Sequence, residues 1–201
     1  MNVYMARIAV VSMMLGLSGT GMSMAADCVK GNCSDGVGIM IEADGTEYQG
    51  TFKNGFPNGK GVFTYPEGKR ITTGSVRYKD GLRFENKFPM GKLYEGDVVD
   101  GERHGKGRLE YYSGAVYTGE FKNGLLDGRG VMVNPNGVTV EGEFSKGQPN
   151  GTGTVSFPDG RRYEGEIEEN KLHGKGRMIY PDGRVEAGLF KKGKYVGPAS
   201  D

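Results

Sequence analysis

The stretch YTGEFKNGLLDGRG, residues 117–130, decides how this chain is read. Its four glycines in fourteen residues look at first like a loop made to wrap a phosphate. A phosphate loop, however, ends in Gly-Lys-Ser/Thr and opens a helix whose N-terminus holds the anion, and neither follows here. Tyr117 and Phe121 instead alternate with Thr118 and Glu120, the two-residue period of a half-buried strand. The stretch therefore reads as a hairpin: one strand over 117–121, a loop over 122–127 and a second strand over 128–134.

Outward from it, the pattern repeats. Gly45, Gly68, Gly91, Gly114, Gly137, Gly160 and Gly183 are each 23 residues apart without an insertion. A second series through Gly36, Gly59, Gly105 and Gly128 keeps that period but breaks at Leu82, and a third through Gly38, Gly61, Gly107 and Gly130 breaks at Phe84. Rings share the period: Tyr48, Tyr94, Tyr117 and Tyr163 at one slot, and Phe52, Phe121, Phe144 and Phe190 four residues later. A fixed period of this length marks a serial architecture, and it separates these 37 glycines from the aperiodic glycine of disorder. Turns such as Pro135-Asn136-Gly137 and Pro158-Asp159-Gly160 join successive hairpins, with glycine supplying the positive φ.

If the rings face one side, the charges face the other. A register that sets Glu120 opposite Arg129 also sets Asp97 opposite Lys106 and Glu166 opposite Lys175, giving exposed ion pairs of a few tenths of a kcal/mol each. The glycines share the aromatic face, where their missing side chains leave room for rings to lie across the backbone.

The N-terminus has another character. One cation, Arg7, precedes an apolar run from Ile8 to Leu17 and the small-residue ending Ser23-Met24-Ala25, the layout of a secretory signal peptide. Its apolar core is shorter than the roughly 20 residues of a membrane span. Cleavage is expected after Ala25 or one residue later, which places the mature chain in the periplasm or outside the cell. A lipid anchor on Cys28 is the weaker alternative, because Asp27 fits such a signal poorly. Losing Arg7 turns 26 basic and 25 acidic residues into 25 of each, a balance that exerts no general pull on nucleic acid or anionic membrane. Cys28 and Cys33, the only cysteines, read as a disulfide in an exported protein, worth about 2 kcal/mol.

The sequence of signals YxGxF, NG, GxG and DG resembles the MORN repeat family. The fullest copies are YEGDVVDGERHGKGRLEYYSG (94–114), YTGEFKNGLLDGRGVMVNPNG (117–137) and YEGEIEENKLHGKGRMIYPDG (163–183). The resemblance covers about residues 28–197 and implies an all-β fold, an elongated, twisted, single-layer antiparallel sheet of serial hairpins. The expected organisation is a signal peptide over 1–25, an N-terminal cap and partial repeat over 26–44, the array over 45–197 and a tail over 198–201. Seven units at about 10 Å each predict a rod some 65–70 Å long. Residues 69–91, KRITTGSVRYKDGLRFENKFPMG, keep the length but lose two pattern glycines, at Leu82 and Phe84.

Nothing in the chain assembles into catalytic machinery. His104 and His173 occupy the same slot three units apart, about 29 Å by strand spacing, so they share neither a proton nor a metal. Ser113, Ser145 and Ser156 lack a companion histidine, and the carboxylates Glu120, Glu143 and Glu166 simply recur. No enzyme, cofactor or metal is implied. The resemblance implies a scaffold, expected to bind a protein or envelope component through its aromatic face or a sheet edge. Peripheral membrane binding is the alternative, weakened because acids offset the Lys60, Lys106, Arg129 and Lys175 row. An envelope hydrolase ranks third, and a homo-oligomer would pair through sheet edges. The irregular unit supplies the candidate binding surface: Tyr78, Phe84 and Phe88 beside Tyr65 and Tyr111. A decayed repeat that still packs is the plainer reading of the same rings.

Overall fold

A computed structural model describes residues 26–67 and 91–199. They form fourteen strands: β1 (Asp27–Gly31), β2 (Gly36–Ile41), β3 (Glu47–Lys53), β4 (Phe56–Thr64), β5 (Gly91–Val99), β6 (Glu102–Tyr111) and β7 (Val116–Lys122). The second half comprises β8 (Leu125–Val133), β9 (Thr139–Ser145), β10 (Gln148–Ser156), β11 (Arg162–Glu168), β12 (Lys171–Ile179), β13 (Val185–Lys191) and β14 (Lys194–Gly197). All lie in one antiparallel sheet whose spatial order is the chain order. β4 pairs directly with β5, Lys60 opposite Asp97, so no strand separates the units on either side of the irregular segment.

The hairpin turns are tighter than the 122–127 loop expected from sequence. Asn123 and Gly124 alone make the turn, at φ 52° and 77°, and the second strand begins at Leu125. Two successive positive φ angles define the hairpin turn whose twist matches that of the flanking strands. Asn54-Gly55, Asp100-Gly101, Lys146-Gly147 and Lys192-Gly193 do the same. The longer connections are the expected ones, closed by Gly137 N–H donating to Asn134 O at 2.9 Å.

Farther along each hairpin the register shifts. Between the pairs Phe121↔Leu126 and Gly119↔Gly130 the second strand carries more residues than the first, so the ladder bulges around Gly128, at φ 103°. Glu120 closes the bulge: its Oε2 accepts the Arg129 backbone N–H at 2.9 Å. Asp97, Glu143 and Glu166 do the same for the amides of Lys106, Thr152 and Lys175, each at 3.0 Å. The extra residues set these cations opposite carboxylates of the neighbouring hairpin, Lys106 across from Glu120 and Arg129 across from Glu143 in register, without an ion pair among the described residues, whereas Lys60 Nζ reaches Asp97 Oδ1 at 2.7 Å. Gly128 thus makes room for a carboxylate, not for a ring.

The core is a line of paired glycines roofed by tyrosines. Gly107, Gly119, Gly130 and Gly142 sit side by side on β6 to β9. Tyr117 lies over Gly119 and Gly130, so close that a Cβ on Gly119 would stand 2.5 Å from its Oη, which donates to Glu120 O at 3.0 Å. Phe121 and Phe144 meet that ring edge-on, with centroids 5.2 and 4.9 Å away. Tyr48, Tyr94, Tyr117 and Tyr163 are all 0% exposed, and burying such a ring is worth about 1.5–3 kcal/mol. Burial also raises these phenols, that of Tyr163 to about 12. A single layer thereby acquires a core.

The ends depart from this pattern. Cys28 and Cys33 form a disulfide, and β1 pairs β2 with Asp27 opposite Ile41. Cys33 packs against the core, and a Cβ on Gly38 would lie 2.8 Å from its Sγ, so sulfur covers the glycine that a tyrosine covers elsewhere. At the other end β14 is only four residues long, where β8, β10 and β12 have nine. Tyr195 of β14 packs on Phe190 at 5.4 Å.

Candidate functional site

Of the five rings expected to form a binding surface, Tyr78, Phe84 and Phe88 lie outside the described residues. Tyr65 and Tyr111 are half-buried and pack against the main core. Tyr65 N–H donates to Lys92 O at 3.1 Å, and the Tyr112 hydroxyl donates to Tyr65 O, which ties the end of β4 to the β5–β6 hairpin. Burial raises both phenols, partly offset by Arg103. Arg103 itself donates through Nε and Nη2 to Gly124 O at 3.1 and 2.6 Å and lies 5.9 Å from the Phe121 ring centre. It acts as a clip between neighbouring hairpins.

Sequence reasoning missed the feature on the opposite face. A trough of about 930 Å³ crosses β4 to β8. Its floor is the back of the glycine line, Gly61, Gly96, Gly107 and Gly119, where every backbone carries no side chain. One wall is Lys60, Lys106, Glu120 and Arg129, and the other is Val62, Glu95, Arg108 and Thr118. The sequence signal is the pair of rows that flank the pattern glycines, through Lys60 and Val62 on β4 and through Lys106 and Arg108 on β6. In sequence these rows look like a solvated face, because the concavity arises only from the missing side chains between them.

The trough carries both signs. Lys60 pairs with Asp97, and Arg108 pairs with Glu110. The Lys106 and Arg129 side chains are exposed and make no ion pair among the described residues, while Glu95 and Glu120 supply the opposite sign nearby. Such walls match a polar chain of mixed charge better than a polyanion.

Among the described residues no three His, Cys, Asp or Glu groups gather around a metal position. His104 on β6 and His173 on β12 lie six strands apart, and each offers its backbone carbonyl to a tyrosine hydroxyl, at 3.3 and 3.0 Å. The repeated histidine slot therefore supports the ring roof.

The MORN repeat profile matches residues 48–70, 94–116, 117–139, 141–161 and 163–183, together more than half of the chain. No curated protein matches the sequence. Among solved structures it is similar to the SAS-4 (dCPAP) TCP domain of Drosophila melanogaster, determined in complex with a proline rich motif of Ana2 (dSTIL). The identity is 15% and the TM-score 0.45, over 88% of this chain and 85% of that chain. With five tandem matches in one serial sheet, the protein belongs to the MORN repeat family, whose repeats are protein- or membrane-binding scaffold modules.

Proposed function

We propose that the protein is a non-enzymatic, exported scaffold that holds an extended segment of a partner protein in the trough across β4 to β8. The observation that carries this reading is the glycine floor between two polar walls, one of them bearing the exposed cations Lys106 and Arg129. The pattern tyrosines cannot serve the partner directly, because they are fully buried within the chain. Export rests on the leader-like residues 1–25 and on the Cys28–Cys33 disulfide, a bond that persists in oxidising compartments.

A crosslinking pulldown from envelope extract tests the reading against a Lys106→Glu/Arg129→Glu variant. Wild type is expected to enrich a discrete partner that the variant loses by tenfold or more. An identical partner set for both proteins contradicts the trough. Co-sedimentation with anionic liposomes at low salt is expected to be negative; binding there would move the protein to the membrane-associated members of the family. N-terminal sequencing of the mature protein is expected to start at Ala26 or Asp27.

A further inference from the structure

The glycine line that floors the trough continues past its β4 end. Gly50 sits opposite Gly61 and Gly38 opposite Gly50, so the floor without side chains runs on to β2. The flanking rows run on with it, but their chemistry changes. On the trough-side face β3 offers uncharged Thr51 and Gln49, and β2 offers Val37, Ile39 and Ile41. Slot 37 holds Lys60, Lys106, Arg129, Thr152 and Lys175 in β4, β6, β8, β10 and β12, so an aliphatic residue there is peculiar to β2. Val37 is 67% exposed and Ile41 37%, with Ile39 half-buried between them. An aliphatic cluster facing water at the end of a polar channel is a seat for an apolar group of a ligand.

Toward the other end of the trough stand Lys106 on β6 and Arg129 on β8, exposed on one wall and without an ion pair among the described residues. Glu120 between them is held to the Arg129 amide at 2.9 Å. Glu95 on the opposite wall repels any acid that faces it, which confines a ligand's acids to the Lys106 side.

Spacing decides the form of the ligand. The walls are two residues apart along each strand, ~6.7 Å, which admits one extended chain but not a helix about 10 Å across. The two cations lie two strands apart, ~9.6 Å. A β-strand repeats a side-chain direction at ~6.7 and ~13 Å, neither of which fits. A polyproline II chain, with three residues per turn and ~3.1 Å per residue, repeats it every ~9.3 Å. From β2 to β6 is four strands, ~19 Å, or about six residues of such a chain.

We infer that the trough takes a polyproline II segment with one aliphatic end, seated on Val37 and Ile41, and two acids three residues apart at the other, facing Lys106 and Arg129. This rests on the reading that the trough holds a partner protein, and it adds the form, composition and footprint of the bound segment.

The probe is a fluorescent ten-residue peptide with valine at positions 1 and 2, glutamate at 7 and 10, and proline and serine elsewhere. It and its reversed sequence are titrated with the full chain by anisotropy. One of the two chain directions is expected to bind. Serine for valine is expected to weaken that peptide fivefold or more, and lysine for glutamate tenfold or more. Val37→Thr/Ile41→Thr, which keeps strand-forming side chains, is expected to weaken the valine peptide fivefold or more and to leave the serine copy unchanged. Lys106→Glu/Arg129→Glu is expected to weaken both. Wild-type affinity in Val37→Thr/Ile41→Thr, with equal binding of the valine and serine peptides, overturns the inference, and loss in Lys106→Glu/Arg129→Glu alone then leaves the trough standing as a shorter site. Glutamates at 7 and 9 that bind as tightly as those at 7 and 10 overturn the polyproline II form. Failure of both chain directions to bind also overturns the inference, and the pulldown with Lys106→Glu/Arg129→Glu decides the trough separately.

Discussion

The two ends of the sheet solve the same problem with opposite outcomes. Both must finish a glycine line whose inner members are roofed by tyrosines. At the N-terminal end the disulfide sulfur of Cys33 covers Gly38, and β1 seals the edge of β2. At the C-terminal end Tyr195 covers Phe190, but the half-length β14 leaves part of β13 open. Each end also places a carboxylate in a ring slot. Glu42 stands where Tyr65, Tyr111, Phe157 and Tyr180 recur, and Glu186 stands in the Tyr48, Tyr94, Tyr117 and Tyr163 slot. Their settings differ: Glu186 receives the Tyr180 hydroxyl at 2.8 Å and Arg184 at 3.0 Å, whereas burial and neighbouring Asp44 push Glu42 up to about 7. The locked end thus carries a carboxylate whose burial makes it sensitive to pH.

The comparison is broken most strongly from between the ends. Gly119→Ala puts a Cβ 2.5 Å from both Tyr117 Oη and the Gly130 Cα, so a loss of about 3 kcal/mol or more is expected in urea unfolding. Gly183→Ala meets nothing within 4 Å and bears only its φ of 85°, about 1 kcal/mol. Equal losses would mean that turn conformation, not ring packing, limits the sheet. Next in size, Cys28→Ser/Cys33→Ser is expected to cost about 2 kcal/mol and to release β1 while leaving β13 unchanged.

A pH titration sharpens the contrast further. The carboxyl of Glu42 rises from its ordinary 4.5 to about 7 on folding, so the folded chain holds its proton more tightly. Its contribution to stability is full below pH 4.5 and is lost as pH rises to about 7. That loss is of order 1–2 kcal/mol after allowance for partial exposure. Glu42→Gln is expected to flatten the profile over that range, and an unchanged profile would remove Glu42 from the account. Smallest of all, Tyr195→Phe gives up the bond to Ala187 O, about 0.5 kcal/mol, read as a small shift in the unfolding midpoint.

Much of this was legible beforehand because periodicity is global information. The 23-residue glycine series and the alternating Tyr117 and Phe121 specified serial hairpins and the ring-over-glycine core. Local geometry was less legible. Asn123-Gly124 was absorbed into a longer loop, because nothing short of the register shows that the second glycine, Gly128, belongs to a bulge and not to the turn. That bulge in turn removes the expected pairings of Glu120 with Arg129, Asp97 with Lys106 and Glu166 with Lys175, and each of those carboxylates accepts a backbone amide of the bulge instead. Departures from the pattern were hardest to see for a different reason: a repeat is read by what its units share, whereas Ala187 and Leu189 stand out because they differ from the polar residues in their slots. Aligning slot 189 with Asp97, Glu120, Glu143 and Glu166 would have exposed the change. Of the candidate surface rings, Tyr65 and Tyr111 are half-buried against the main core, and Tyr78, Phe84 and Phe88 lie outside the described residues.

Amide hydrogen exchange on the isolated, oxidised protein tests the asymmetry of the two ends most directly. The account predicts slow exchange across β2 and rapid exchange for the outward amides of residues 185–187, with reduction of the disulfide accelerating β1 and β2 and leaving 185–187 unchanged. Protection of residues 185–187 equal to that of β7 or β11 would show a closed C-terminal edge and contradict it.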